Sequence, residues 1–378
     1  MHGVRVLVVM PGLTPDAGAE RSMAALLPML EAGGTTVHVA LLTARQTLVP
    51  VLERVGIVVH DLSGATSTAA RARELGRVIA AVRPDLVHAV LFEAAVPAQI
   101  AARRAGLPVL VTWAVTLYDS GHFAEGRTRT AKLRLAQAVE IGLARAAGTR
   151  FHAVTSGVAR VNAATLRVAP GRTAVGERGR EAPNWTREDP PPERPTGLPT
   201  AGSIVLAVGR QEPQKDYGLL LEQFDVLADR RPDVHLVVAG RRGADSLLLH
   251  RQHRRMRHGD RVHFLGQRSD VPELVALADV VVCSSWREGA AGALIEAMAA
   301  GVPVVTVELD SLVGVVEDGV NGLVTPREHL AGTIAEILDD RALADRLGGA
   351  GRAVFEERFT LARSAERLAE IYEWAVTR

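Results

Sequence analysis

Cysteine is nearly absent from this sequence of 378 residues, where Cys283 stands alone. A lone cysteine cannot close an internal disulfide, so a disulfide-framed secreted scaffold is excluded and a reducing compartment fits. Cys283 ends the apolar run Val280-Val281-Val282-Cys283 and reads as a buried small hydrophobe. Charge excess is also missing. Lys and Arg total 44 against 43 Asp and Glu, a formal net charge of +1. That lacks the basic surplus of a dedicated nucleic-acid binder, and there is no acidic tail or charged low-complexity block. No apolar stretch reaches the roughly 18 residues of a membrane-spanning helix. Met1-His2-Gly3-Val4-Arg5 runs straight into an apolar strand and then Pro11-Gly12, unlike a signal peptide. The expectation is a cytoplasmic protein. The 12 histidines show no metal-ligand spacing with partner carboxylates, so no metal site is expected.

What the sequence does have is alternation. At roughly 100–200 residues per domain, its length fits about two domains, and a hydrophobic content of 47% supplies two cores. Apolar runs predict strands at Val4–Met10, Val37–Leu42, Leu86–Ala89 and Val109–Thr112. Amphipathic segments predict helices at Arg21–Leu30, Thr68–Val82 and Ala94–Ala105. Valine- and leucine-rich runs without polar alternation suit strands buried on both faces of a parallel sheet, hence a doubly wound α/β domain. The series breaks over 179–202, where Pro183, Pro190, Pro191, Pro192, Pro195 and Pro199 mark a linker. A second series follows, with strands at Ser203–Val208, Val234–Ala239, Arg261–Leu265, Val280–Cys283 and Pro303–Val307. Tyr217–Asp229, Ala293–Ala300 and an amphipathic Leu361–Val376 are its helices. Two doubly wound domains in tandem predict a cleft, with ligands at the carboxyl ends of the strands.

Three segments could carry chemistry. In the segment from Ser284 to Pro303, the chain leaves a buried strand and enters a helix through Gly289, Ala290, Ala291 and Gly292. With so little side chain there, a ligand can approach the backbone N–H groups of the helix start, which suit anions and hydroxyls. Glu288 and Glu296 flank this turn. Eight helical residues span roughly 12 Å, too far for one acid–base pair but fitting two ends of an elongated ligand such as a nucleotide sugar. A solvated helix face is the bland alternative for Glu296. The second segment, Val208-Gly209-Arg210-Gln211-Glu212-Pro213-Gln214-Lys215, follows a strand. A guanidinium and an ammonium on such a loop can clamp a diphosphate and neutralise it as a leaving group; two ordinary surface cations are the alternative. In the third, from Pro11 to Arg21, Gly18 would let a helix N-terminus face phosphate.

These motifs together resemble family 4 of the retaining glycosyltransferases, whose two-domain architecture is called GT-B. The resemblance covers nearly the full length. It rests on the Glu288-x7-Glu296 element and the Gly209-Arg210…Lys215 loop. Gly18-Ala19-Glu20, Arg83-Pro84-Asp85-Leu86-Val87-His88, Phe264-Leu265-Gly266 and the segment from Val316 to Val324 support it. It implies an acceptor-side Rossmann-like domain over 1–185, with helix 361–378 packing back on it, and a nucleotide-sugar domain over 186–360. Glu288 would hold donor-sugar hydroxyls, helped by the backbone of Gly289, Ala290, Ala291 and Gly292. Glu296 would bind the donor ribose, Arg210 and Lys215 would stabilise the diphosphate, and Gly18 would contact phosphate. Gln267 and Arg268 fall where the family often contacts the nucleobase. The implied reaction is a metal-independent, cofactor-free transfer of a hexose-type sugar from a UDP- or GDP-linked donor, with retained configuration, as in polysaccharide biosynthesis. The acceptor would be a glycan, a lipid-linked molecule or a small molecule.

Two departures stand out. Trp113 takes the place of a histidine that in many members contacts the donor sugar, with His122 the nearest substitute. Arg178-Gly179-Arg180 replaces the usual Asn-Gly element. Trp113 motivates one alternative, a non-catalytic or accessory nucleotide-sugar-binding protein of the same fold; a nucleotide-sugar epimerase is another. Two basic clusters, Arg127/Arg129/Lys132/Arg134 and Arg251/Arg254/Arg255/Arg257, raise peripheral contact with anionic lipid at the inner membrane face, against the alternative of solvated helix faces.

Overall fold

The computed structural model describes residues 3–15, 18–116, 127–146, 148–183, 185, 192–195, 197–199 and 201–377. The chain divides into two compact units, Met1–Gly179 with Leu361–Arg378, and Arg180–Thr360.

The first unit alternates β1 (Arg5–Met10), α1 (Gly18–Ala32), β2 (Thr36–Leu41), α2 (Val49–Glu53), β3 (Val58–Asp61), α3 (Thr68–Val82) and β4 (Leu86–Val90). It continues with α4 (Phe92–Ala105), β5 (Val109–Trp113), α5 (Arg127–Ala146), β6 (Arg150–Ala153), α6 (Ser156–Thr165) and β7 (Thr173–Val175). Its seven strands are parallel, in the order β3-β2-β1-β4-β5-β6-β7. Burial of every residue from Val6 to Met10 and across β4 and β5 matches a sheet covered on both faces. Helix α3 shows the local logic. Ser67 caps its start by accepting from the Ala70 N–H, Arg83 ends it in a left-handed conformation, and Ala72, Leu75, Ile79 and Val82 form the buried stripe.

The second unit repeats the plan with β8 (Ser203–Val208), α7 (Tyr217–Arg230), β9 (Val234–Ala239), α8 (Ser246–His253), β10 (Val262–Gly266) and α9 (Val271–Ala276). Then come β11 (Val280–Cys283), α10 (Gly292–Ala299), β12 (Val304–Val307), β13 (Leu323–Thr325), α11 (Leu330–Asp339) and α12 (Arg341–Val354). The parallel order is β10-β9-β8-β11-β12-β13, the same winding as the first six strands of the other unit. The core joins Val205, Leu236, Val280 and Val305 of the sheet to Leu220, Phe224, Ile334 and Leu347 of the helices. The boundary is structural: the Arg180 N–H donates to the Phe359 carbonyl, and Arg180 pairs with Thr360 in an isolated parallel bridge.

The chain then returns to the first unit. Helix α13 (Leu361–Val376) places Ala365, Leu368, Ile371, Tyr372 and Ala375 in a core shared with Val6, Leu27 and Leu86. A buried polar chain anchors it. His152 Nε2 lies 2.7 Å from the Gly176 carbonyl, which can only accept, so this nitrogen carries the proton. In the neutral ring His152 Nδ1 then accepts from Thr112 Oγ1 at 2.9 Å. That hydroxyl accepts from His88 Nε2 at 2.6 Å, and His88 Nδ1 accepts from Tyr372 at 2.9 Å. Burial keeps both imidazoles neutral, lowering His152 to about 4 and His88 well below its ordinary value.

Candidate active site

In both units the winding reverses between the first and fourth strands, so the connections leaving those two strands diverge and open a crevice at their carboxyl ends. In the second unit those strands are β8 and β11. They deliver the Arg210–Lys215 loop and the Glu288 loop to one place.

The two loops are joined residue by residue. Pro213–Lys215 forms a single 3-10 turn, and each of its carbonyls is occupied. Trp286 Nε1 donates to Pro213 O at 2.9 Å, the Trp286 N–H to Gln214 O at 3.1 Å, and Ser284 Oγ to Lys215 O at 2.9 Å. So held, Lys215 Nζ contacts Glu288 Oε1, which also accepts from Ser285 Oγ at 2.6 Å. Both side chains are largely buried, 20% and 11% exposed, enough to strengthen their attraction. Burial would pull the Lys215 ammonium down, but Glu288 and Cys283 outweigh it, so its pKa is raised and it stays charged. Arg210 acts on Lys215 in the opposite sense, which puts the second cation within electrostatic reach. Arg210 itself is half-exposed, with Glu212 3.6 Å away. Tyr217 anchors the base of this loop, its hydroxyl donating to Gly209 O at 3.1 Å. Lys215, Tyr217, Ser285, Glu288 and Ala291 line a small cavity of about 40 Å³.

Glu288 precedes the helix rather than starting it. Gly289, Ala290 and Ala291 form the entry, and α10 begins at Gly292, within a residue of the expected start. Ala291 takes a left-handed φ of 43°, unusual for a residue with a Cβ and characteristic of functional turns. The structure ties the far carboxylate to an unexpected partner. Arg180 Nε donates to Glu296 Oε1 at 3.1 Å. A Cβ at Gly292 would stand 2.1 Å from Arg180 Nη2, so the absence of a side chain there leaves this guanidinium room to cross the helix start. Glu296 is thus ion-paired, not a merely solvated helix position.

The remaining candidates lie elsewhere. Gln267 is exposed on the turn after β10, and Arg268 beside it is paired with Asp270, Nε to Oδ1 at 2.7 Å. Gly18 opens α1 in the first unit, where an added Cβ would meet nothing within 4 Å. Trp113 ends β5 as a core residue, 1% exposed and stacked on Phe151 at 4.3 Å. It also lines a cavity of about 260 Å³ with Glu20, Arg45 and Thr112. His122 lies outside the described residues. Among the described residues no group of three His, Cys, Asp or Glu side chains could hold a metal ion. Sequence reasoning gave Ser284, Ser285, Trp286 and Tyr217 no role, although the Ser-Ser-Trp run directly before Arg287-Glu288 was a signal, and it singled out Arg180 only as part of the departure Arg178-Gly179-Arg180.

Two doubly wound units, the second with its cation–carboxylate pair at the switch point, define the GT-B architecture. Residues 17–179 match the family described as "Glycosyl transferase 4-like domain", and residues 192–354 match "Glycosyl transferases group 1". The chain belongs to the GT-B glycosyltransferases. It is 33% identical over 183 residues to Spore coat protein SA of Bacillus subtilis (strain 168), covering 45% of this chain and 48% of that one. It is 32% identical over 213 residues to Phosphatidyl-myo-inositol mannosyltransferase of Mycobacterium tuberculosis (strain ATCC 25618 / H37Rv), covering 53% and 55%. The chain thus spans about half the length of the curated relatives it matches. In fold it is similar to Anabaena Alr3699/HepE in complex with UDP and glucose, with a TM-score of 0.77, 22% identity and coverage of 98% and 99%. Sucrose-phosphate synthase from Thermosynechococcus elongatus is similar too, with a TM-score of 0.76, 19% identity and coverage of 98% of each chain.

Proposed function

We propose that the protein is a retaining, metal-independent glycosyltransferase that moves a hexose-type sugar from a nucleoside-diphosphate donor to a hydroxyl acceptor. The observation that carries this reading is the Lys215–Glu288 pair at the β8/β11 switch point, with Arg210 beside it. Lys215 and Arg210 neutralise the diphosphate as the bond from sugar C1 to phosphate oxygen breaks. The acceptor oxygen bonds C1 on the same face, and its proton passes to the departing phosphate. Glu288 holds sugar hydroxyls, and the N–H groups from Gly289 to Gly292 meet the donor at the start of α10. Glu296, oriented by Arg180, accepts from the ribose. Gln267 and Arg268 serve the nucleobase, and Gly18 of the first unit serves donor phosphate.

The HepE complex with UDP and glucose supports a UDP-linked donor, and the mannosyltransferase relatives support a hexose. Glycan, lipid-linked and small-molecule acceptors fit this reading equally. No additional cofactor is needed for it, and a cytoplasmic location agrees with the single buried thiol of Cys283.

The test is nucleotide release and product formation from UDP- and GDP-hexoses in the presence of acceptor extracts. Lys215→Ala or Glu288→Ala should lower turnover by about 100-fold or more, with far-UV circular dichroism unchanged. Wild-type turnover in both variants removes the assignment. Donor binding without transfer or hydrolysis by the wild-type protein points instead to an accessory binding protein.

A further inference from the structure

Helix α8 of the second unit presents a face that the sugar-transfer reading does not use. Ser246 and Leu249 point inward and are buried. Leu247 and Leu248 are 62% and 60% exposed, two adjacent large apolar side chains in water. Arg251 is exposed one turn after Leu247, and Arg254 and Arg255 are exposed where the turn closes on His250 O and Gln252 O. At 3.6 residues per turn these five residues share one sector of roughly 120°. Asp245, the nearest carboxylate in sequence, lies roughly 160° round the helix from Leu247.

The arginines are unoccupied. Among the described residues Arg251, Arg254 and Arg255 make no ion pair or side-chain hydrogen bond, nor does exposed Arg242 on the loop into the helix. Arg242 and Arg254 both lie within electrostatic reach of the His250 ring, which brings Arg242 near this helix. Arg257 is different, since it is consumed by Asp229 at 2.7 Å. In a chain of net charge +1, four uncompensated guanidinia around one short helix are a local concentration of charge.

The occupant must answer both features. A soluble anion would pair with the arginines and leave two leucines wet. A neutral apolar surface would cover the leucines and strand the arginines. An acidic protein needs roughly 800 Å² per partner for a stable interface, far more than a helix about 12 Å long provides. An anionic bilayer offers phosphates at the headgroup level and hydrocarbon just beneath. We propose that the α8 face docks on an anionic lipid surface, with Arg242, Arg251, Arg254 and Arg255 on lipid phosphates and Leu247 and Leu248 in the acyl boundary. The proposal does not depend on the donor site. It selects the second of the two basic clusters in the sequence, without Arg257. In the first cluster Arg134 is exposed, and the side chains of Arg127, Arg129 and Lys132 lie outside the described residues.

Flotation of the full chain with phosphatidylcholine vesicles, with and without phosphatidylglycerol, tests it. The wild type should float only with the anionic vesicles and should be released by salt. Arg251→Gln/Arg254→Gln/Arg255→Gln should lower partitioning about 100-fold, and Leu247→Ser/Leu248→Ser about 10-fold. Both sets change exposed side chains, and thermal melting checks that each variant folds. Equal flotation with neutral and anionic vesicles overturns the proposal, as does an arginine variant that floats like the wild type. Unchanged flotation of the leucine variant, alongside wild-type retention on a soluble polyanion such as heparin, would assign the arginines to a soluble anion instead.

Discussion

The first unit should lose stability in mild acid, and His152 should account for much of the loss. Burial pushes its imidazole down to about 4; the Gly176 carbonyl opposes this, while Arg178 and Arg367 add to it. In the unfolded chain the same ring takes its proton near 6.5. Between those values the unfolded chain binds a proton that the folded unit refuses. Stability is therefore complete above about pH 6.5 and falls as pH drops, by about 1.4 kcal/mol per pH unit. Over roughly 2.5 pH units that is on the order of 3 kcal/mol from one residue. His88 is shifted in the same direction and adds to the slope. His152→Gln removes the titrating ring while keeping a donor for the Gly176 carbonyl. It should cost about 1–2 kcal/mol at neutral pH but make the acid slope shallower by about 1.4 kcal/mol per pH unit. Urea unfolding between about pH 7.5 and about pH 4.5 measures both slopes. Trp113, buried and stacked one residue from Thr112, reports on this unit by its fluorescence. A variant whose acid slope equals that of the wild type refutes the reasoning.

Two further outcomes follow from the second unit. Trp286→Phe keeps the ring's bulk but deletes the Nε1 bond to Pro213 O; steady-state kinetics should show kcat lowered about 10-fold, equivalent to about 1.4 kcal/mol, with little change in melting temperature. Normal kcat would mean that the turn holds Lys215 without help. Arg180→Met takes the guanidinium away from the partly buried Glu296 carboxylate and should cost about 1–3 kcal/mol in urea unfolding, part of which returns in Arg180→Met/Glu296→Gln. No recovery in the double variant would mean that the guanidinium acts through packing on Gly292 alone.

Much of the fold could be read because its strands are buried on both faces. Thr68–Val82, Ser203–Val208, Val234–Ala239 and Val280–Cys283 form over the expected ranges. The strands left unread were β3, β6, β7 and β13, of three or four residues each. Unlike the equally short but wholly apolar β11, these runs include polar residues such as His60, Arg150, Thr173 and Thr325, and their strand character comes from pairing with longer neighbours such as β2, β5 and β12. The site divides in the same way. Glu288, Lys215 and Gly292 announce themselves through spacing and small residues. Trp286 and Arg180 do not, because their roles come from contacts with partners 73 and 116 residues away in sequence. The departure at Trp113 was visible, but its burial against Phe151 depends on the pairing of β5 with β6.

The path of the chain has a practical consequence. Because α13 belongs to the first unit, the second is an insertion, entered at Arg180 and left at Thr360. Those two residues are bridged to each other, so both covalent passages lie at a single spot. A segment whose ends already touch can be excised, or exchanged for that of another GT-B protein, with one pair of neighbouring splice points. What remains, 1–179 and 361–378, would need only a short linker to keep Tyr372 on His88.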